Sequence, residues 1–134
     1  MGKDLHYSIM RFLEKRLDEH SIVKAWERHD REDWITYTVE RFRLNDKVTI
    51  CLSDAYKFTD FDYHNRAEFL SSGDYILVAK PEGGLAVSGR LVDASEIGVG
   101  KLGEMMGALN SKHMWKYSPP SNEEIRRRRE RSRK

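Results

Sequence analysis

Five consecutive apolar residues, Tyr75-Ile76-Leu77-Val78-Ala79, stand between Gly73-Asp74 and Lys80-Pro81-Glu82-Gly83-Gly84. The run carries no polar alternation, so it reads as a strand buried on both faces and central in its sheet. The next run places Leu85, Val87 and Leu91 on one face and Ala86, Ser88 and Arg90 on the other. Residues 75–79 and 85–91 therefore read as paired neighbours joined by a glycine-containing turn.

Around this centre the periodicities assign the remaining elements. Leu5, Ile9, Phe12, Leu13 and Leu17 recur at helical spacing behind Asp4, a suitable cap, and predict an amphipathic helix over 4–19 that packs on the sheet. Residues 22–26 predict a first strand and 34–44 a long second one, with Ile35, Tyr37 and Val39 on one face. Asn45-Asp46 signals a tight turn before 47–53, where Val48, Ile50 and Leu52 alternate inward, which makes an antiparallel meander the simplest topology. In the acid- and aromatic-rich stretch 54–72, residues 65–70 predict one or two helical turns. Ile97, Leu102, Met105, Met106 and Leu109 form an apolar stripe for a helix over 97–109, although Gly98, Gly100, Gly103 and Gly107 weaken it. Gly103 and Gly107, four apart, would let that helix approach the sheet or a partner helix closely. Residues 113–117 predict a short last strand. The fold class is α+β: a mixed, mostly antiparallel sheet of five or six strands packed with two principal helices.

A length of 134 residues suits one domain with a hydrophobic core, and the composition divides it into a globular part, 1–118, and a flexible basic tail, 119–134. Pro119 and Pro120 open the tail. Arg126, Arg127, Arg128, Arg129, Arg131, Arg133 and Lys134 oppose Glu130 alone, whereas residues 1–125 hold 17 basic against 21 acidic side chains. Cys51 has no second thiol to pair with and reads as a small core residue. With Asp4, His6, Arg11 and Glu14 near the N-terminus and no long apolar run, a soluble cytoplasmic protein without a membrane partner is expected.

Residues able to carry chemistry are few. Asp60, Asp62 and His64 would share one face of an extended segment, and with Asp74 they are the candidate ligands for a divalent metal. Trp26, Trp34, Tyr37, Phe42, Tyr56, Phe58 and Phe61 interleave with Arg28, Arg31, Arg41 and Arg43 and could stack bases, but their alternation reads more simply as a packed core under a mixed-charge surface. Over residues 73–110, Asp74, Ser88-Gly89-Arg90 and the run Val99 to Leu109 resemble the restriction-endonuclease-like fold, most nearly the Mrr type. The resemblance implies an Asp and a Glu-x-Lys triplet around a divalent metal. Asp74 occupies the first position, while Ser88 stands for the acid and Arg90 for the lysine, so it implies the scaffold without the cleavage.

The function expected is a nucleic-acid-associated, non-catalytic binding protein without cofactor. Its phosphate contacts would come from Arg126, Arg127, Arg128, Arg129, Arg131, Arg133 and Lys134, with Arg90 from the body. Two readings stay open: a metal-dependent nuclease built from Asp74 with Asp60, Asp62 or Glu82, and a protein-interaction module, a homo-oligomer included, that assembles through the 97–110 helix.

Overall fold

The computed structural model describes residues 5–44, 46–80 and 83–117. The basic segment 119–134, Asp4 and Glu82 lie outside the described residues.

In chain order the elements are α1 (Tyr7–Glu19), β1 (Val23–Arg31), β2 (Trp34–Arg41), β3 (Lys47–Ser53), β4 (Lys57–Thr59), α2 (Asp60–His64), β5 (Tyr75–Val78), β6 (Gly84–Ala86), α3 (Gly89–Ser95), β7 (Gly98–Gly100) and α4 (Leu102–Ala108). A 3-10 turn at Met114–Lys116 follows. The fold is α+β, with a five-stranded mixed sheet in the order β1-β2-β3-β5-β7 and a small second sheet of β4 and β6.

The antiparallel expectation holds for the three longest strands: β2 pairs with β1 through the Glu32-Asp33 turn and with β3 in the register Thr38↔Thr49. Beyond them the sheet is mixed, as expected: β4 and α2 carry the chain over the sheet and β5 returns parallel to β3. The segment β6–α3 repeats the manoeuvre, and β7 lies parallel to β5. The expected pairing of 75–79 with 85–91 is thus not formed. A strand buried throughout needs a neighbour on each edge, and β3 and β7 supply them, whereas β6 is half-exposed and pairs with β4. Residues Gly89–Ser95 are helical, so that the successive residues Leu91 and Val92 both pack on one cluster, which a strand does not allow.

Alternation along the strands separates two cores. Ile35, Tyr37, Val39, Val48, Ile50, Leu52, Tyr75 and Leu77 face α1 and α4, while Ile76 and Val78 face Phe58, Tyr63 and Ile97 on the crossover side. Helix α1 starts later than expected, with His6 rather than Asp4 at its cap, where His6 Nδ1 accepts from the Ser8 amide at 3.2 Å. Met10, Leu13 and Leu17 form its buried stripe, whereas Phe12, assigned inward from its spacing, is 54% exposed.

The helix expected over 97–109 is divided. Residues 98–100 are strand and only Leu102–Ala108 are helical. The glycines explain the division: a Cβ at Gly98 or Gly100 would run into the ring or hydroxyl of Tyr75, which lies flat across β7. Gly107 is occupied in the same way by the phenol of Tyr117, while Gly103 faces open space. Met105 and Met106 are core residues, so the face considered for assembly is mostly covered. The 113–117 segment forms the 3-10 turn instead of a strand, and its Trp115 backbone comes against Gly98 at the β7 edge. No helix among the described residues is long and apolar enough to cross a membrane.

Arg41, expected at a mixed-charge surface, is 1% exposed. Its position continues the inward series 35, 37, 39, which leaves the guanidinium under the end of α4. Nε and Nη2 donate to the two carboxylate oxygens of Asp46 at 2.8 and 2.6 Å. Nη1 donates to the carbonyls of Leu109 (3.1 Å) and Ser111 (2.7 Å), and Nη2 to that of Lys112 (3.4 Å). A helix end leaves carbonyls without partners, and a buried cation with several donors satisfies them while complementing the dipole. On the same face His20 Nε2–H donates to Met106 O at 2.8 Å, tying the end of α1 to α4.

Leucine at position 41 would leave these carbonyls and the Asp46 carboxylate without donors; Arg41→Leu should lower unfolding stability by about 3–5 kcal/mol. Urea denaturation of the two proteins measures it, and a change under about 1 kcal/mol would contradict the role given to Arg41.

Candidate nucleic-acid interface

The residues singled out for metal binding are not assembled into a site. Asp60-Phe61-Asp62-Tyr63-His64 is a helix rather than an extended segment, which removes the shared face on which the grouping rested. Asp62 turns back on Thr59, accepting from its amide at 2.9 Å and its hydroxyl at 3.2 Å. Asp60 accepts from the Ser88 amide at 2.7 Å, and His64 is exposed. Asp74 is 9% exposed and accepts from the amides of Thr49 (3.0 Å) and Ser71 (2.9 Å). It thereby pins the start of β5 to β3. Among the described residues no group of three or more His, Cys, Asp or Glu side chains could hold a metal ion. Ser88 is the cap of α3 and Arg90 lies exposed in its first turn, so neither stands on a strand beside Asp74. Arg126, Arg127, Arg128, Arg129, Arg131, Arg133 and Lys134 lie outside the described residues.

If the Asp74 carboxylate serves the backbone, Asp74→Ala should destabilise the protein by about 1–3 kcal/mol through two amides left without an acceptor. Thermal unfolding in the presence of chelator checks this, and an unchanged midpoint would free Asp74 for another task.

Cys51 is 1% exposed between Trp34, Phe58 and Ile76, and burial pushes its thiol up to about 12, so it is no nucleophile at neutral pH. Burial likewise raises the phenols of Tyr37, Tyr63 and Tyr75; for Tyr37 the hydrogen bond to Glu14 adds to it. All four groups fold in their neutral form and ionise first in the unfolded chain. Their contribution is therefore complete below about pH 8.5 and is lost as pH rises through the range in which free thiols and phenols ionise, about 8.5 to 10, toward the folded values. Unfolding free energy measured from pH 7 to 11 should fall steadily above pH 9, and Cys51 should resist a thiol reagent until denaturant is added. Rapid labelling of the native protein at pH 8 would show the thiol accessible.

The arginines interleaved with aromatics are mostly occupied. Arg28 forms two hydrogen bonds to Asp30 at 3.0 and 3.2 Å, Arg31 lies over the Phe69 ring at 4.9 Å, and Arg41 is buried. Of the aromatics, Tyr37 and Phe58 are core, whereas Phe42, Tyr56 and Phe61 are exposed at scattered points.

A basic and aromatic surface forms instead on α1. Its acids at positions 14 and 18 lie on the edge toward β1 and β2: Tyr37 Oη donates to Glu14 Oε2 at 2.6 Å and Trp26 Nε1 donates to Asp18 Oδ1 at 2.7 Å. With those carboxylates drawn to the sheet, the outward face presents Arg11, Lys15 and Arg16, all exposed, with Tyr7 (64% exposed) and Phe12 (54%) beside them and Glu19 at the far end. None of the three cations forms an ion pair among the described residues. Sequence reasoning assigned this helix to packing alone. The available signal was the i,i+4 spacing of Arg11 with Lys15 and Phe12 with Arg16, set against acids on the other edge.

Beside this face, on the Phe12 edge, opens a cleft of about 460 Å³ between α1, the end of β5 and the start of α4. Ser8, Ile9, Phe12, Leu13, Leu77, Val78, Ala79, Lys101, Leu102 and Gly103 line it. A second hollow, on the α3 side, is rimmed by Asp93 and Glu96. The first lies beside the α1 cations, whereas Asp93, Glu96 and Lys116 all border the second. No family model, curated protein or solved structure matches the chain.

Proposed function

We propose that this chain is a non-catalytic nucleic-acid-binding protein whose folded body contacts phosphates through the outer face of α1, with the arginine-rich segment 126–134 adding sequence-independent attraction. The observation that carries the reading is the separation of charge on α1: Glu14 and Asp18 are held by Tyr37 and Trp26, leaving Arg11, Lys15 and Arg16 outward. Three cations within two turns can follow a phosphate backbone, and Tyr7 and Phe12 offer ring faces between them. Asp60, Asp62 and Asp74 hold backbone amides, which supports binding without cleavage. A cytoplasmic setting is part of the same proposal.

Fluorescence anisotropy with labelled oligonucleotides at several salt concentrations tests it. Arg11→Ala/Lys15→Ala/Arg16→Ala should weaken binding at least tenfold and flatten the salt slope by about 0.7 for each phosphate no longer neutralised, and truncation after Asn122 should flatten it further. Affinities and slopes unchanged in the triple variant would remove α1 from the interface.

A further inference from the structure

We propose that the cleft beside Phe12 receives a base turned out of a single strand whose backbone runs along α1, so that the protein selects single-stranded over duplex nucleic acid. This deepens the proposed function and rests on α1 as the phosphate-contacting face.

The cleft of about 460 Å³ lies within the range of small-molecule sites, roughly 300–1,000 Å³, and its walls are apolar, from Ile9, Leu13, Leu77 and Leu102. Such walls suit a flat ring system, and Ser8 and Lys101 supply the polar part of the lining. Phe12 stands at the junction, half in solvent, lining the cleft and sharing a helix with Arg11 and Arg16. A strand held by those cations passes the mouth, where an unstacked base can turn inward against the Phe12 ring. In a duplex the base faces are stacked and paired, so the same phosphate contacts would leave the cleft empty. Charge complementarity also disfavours a second copy of this chain as the occupant. An isologous contact here would bring two sets of the α1 cations together, three cations against Glu19 on each face.

The test uses the full chain, oligonucleotides of one sequence in single-stranded and duplex form, and a single-stranded probe with 2-aminopurine at successive positions. Two substitutions address the cleft. Phe12→Ala removes the ring from an exposed position. Gly103→Leu fills the cleft from α4, where a Cβ meets nothing within 4 Å and the backbone is ordinary. The parent should bind single strands at least tenfold more tightly than duplex and change the fluorescence of 2-aminopurine at one or two positions. Each variant, with melting temperature unchanged, should lose about tenfold for single strands and little for duplex. Equal affinity for both forms, with both variants neutral and charge removal from α1 still harmful, would overturn the cleft while leaving the α1 interface standing. Absence of binding to either form by the full chain would overturn the reading on which it rests.

Discussion

The buried guanidinium of Arg41 joins the β2–β3 hairpin to the end of α4. A cation at 1% exposure is costly to desolvate, and it is tolerated because its donors meet Asp46 and the carbonyls of Leu109, Ser111 and Lys112. One end of this arrangement closes the β2–β3 hairpin, where the Arg41 amide also donates to Asp46 O at 3.0 Å. The other end terminates α4. Because α4 and α1 share one face of the sheet and meet through His20, the place of α1, and with it the cationic surface, depends on this anchor.

Close approach is the second organising device. Tyr75 is a large side chain in the most crowded strand, and its ring is accommodated only because the residues opposite, Gly98 and Gly100, have no side chains. The gain is a dense contact between β5 and β7 under α4. The cost is a short edge strand with little of its own to bury, which the Met114–Lys116 turn then covers.

The elements legible in the sequence are those whose burial has a simple period: β3 with its inward Val48, Ile50 and Leu52, β5 with its apolar run, and the body of α1. Where the sequence misled, a local pattern was compatible with two structures. Asp60 to His64 alternates as a strand would, yet Thr59 and Asp62 hydrogen-bond around a helix start, and that local chemistry settles the segment. The glycines of 98–107 read as defects in one helix because their partners, Tyr75 and Tyr117, are recognisable only in three dimensions. Parallel pairing of β5 depends on crossovers whose direction no residue encodes. The α1 surface escaped notice for a related reason: net charge sums Glu14 and Asp18 with Arg11, Lys15 and Arg16, whereas folding separates them in space.

The two borders of the main sheet differ in a way that bears on how copies of this protein behave in concentrated solution. At one border β7 is three residues long and the Met114–Lys116 turn packs against it, so the template it offers another chain is short. At the other, β1 runs for nine residues, Val23–Arg31, with most positions exposed. A border of that length would invite strand addition and aggregation if it were apolar. Here it carries Lys24, Glu27, Arg28, Asp30 and Arg31, and a bulge between Val23 and Ala25 breaks its regularity. An incoming strand would have to displace solvated charges of both signs and match an irregular register, which keeps the sheet at five strands.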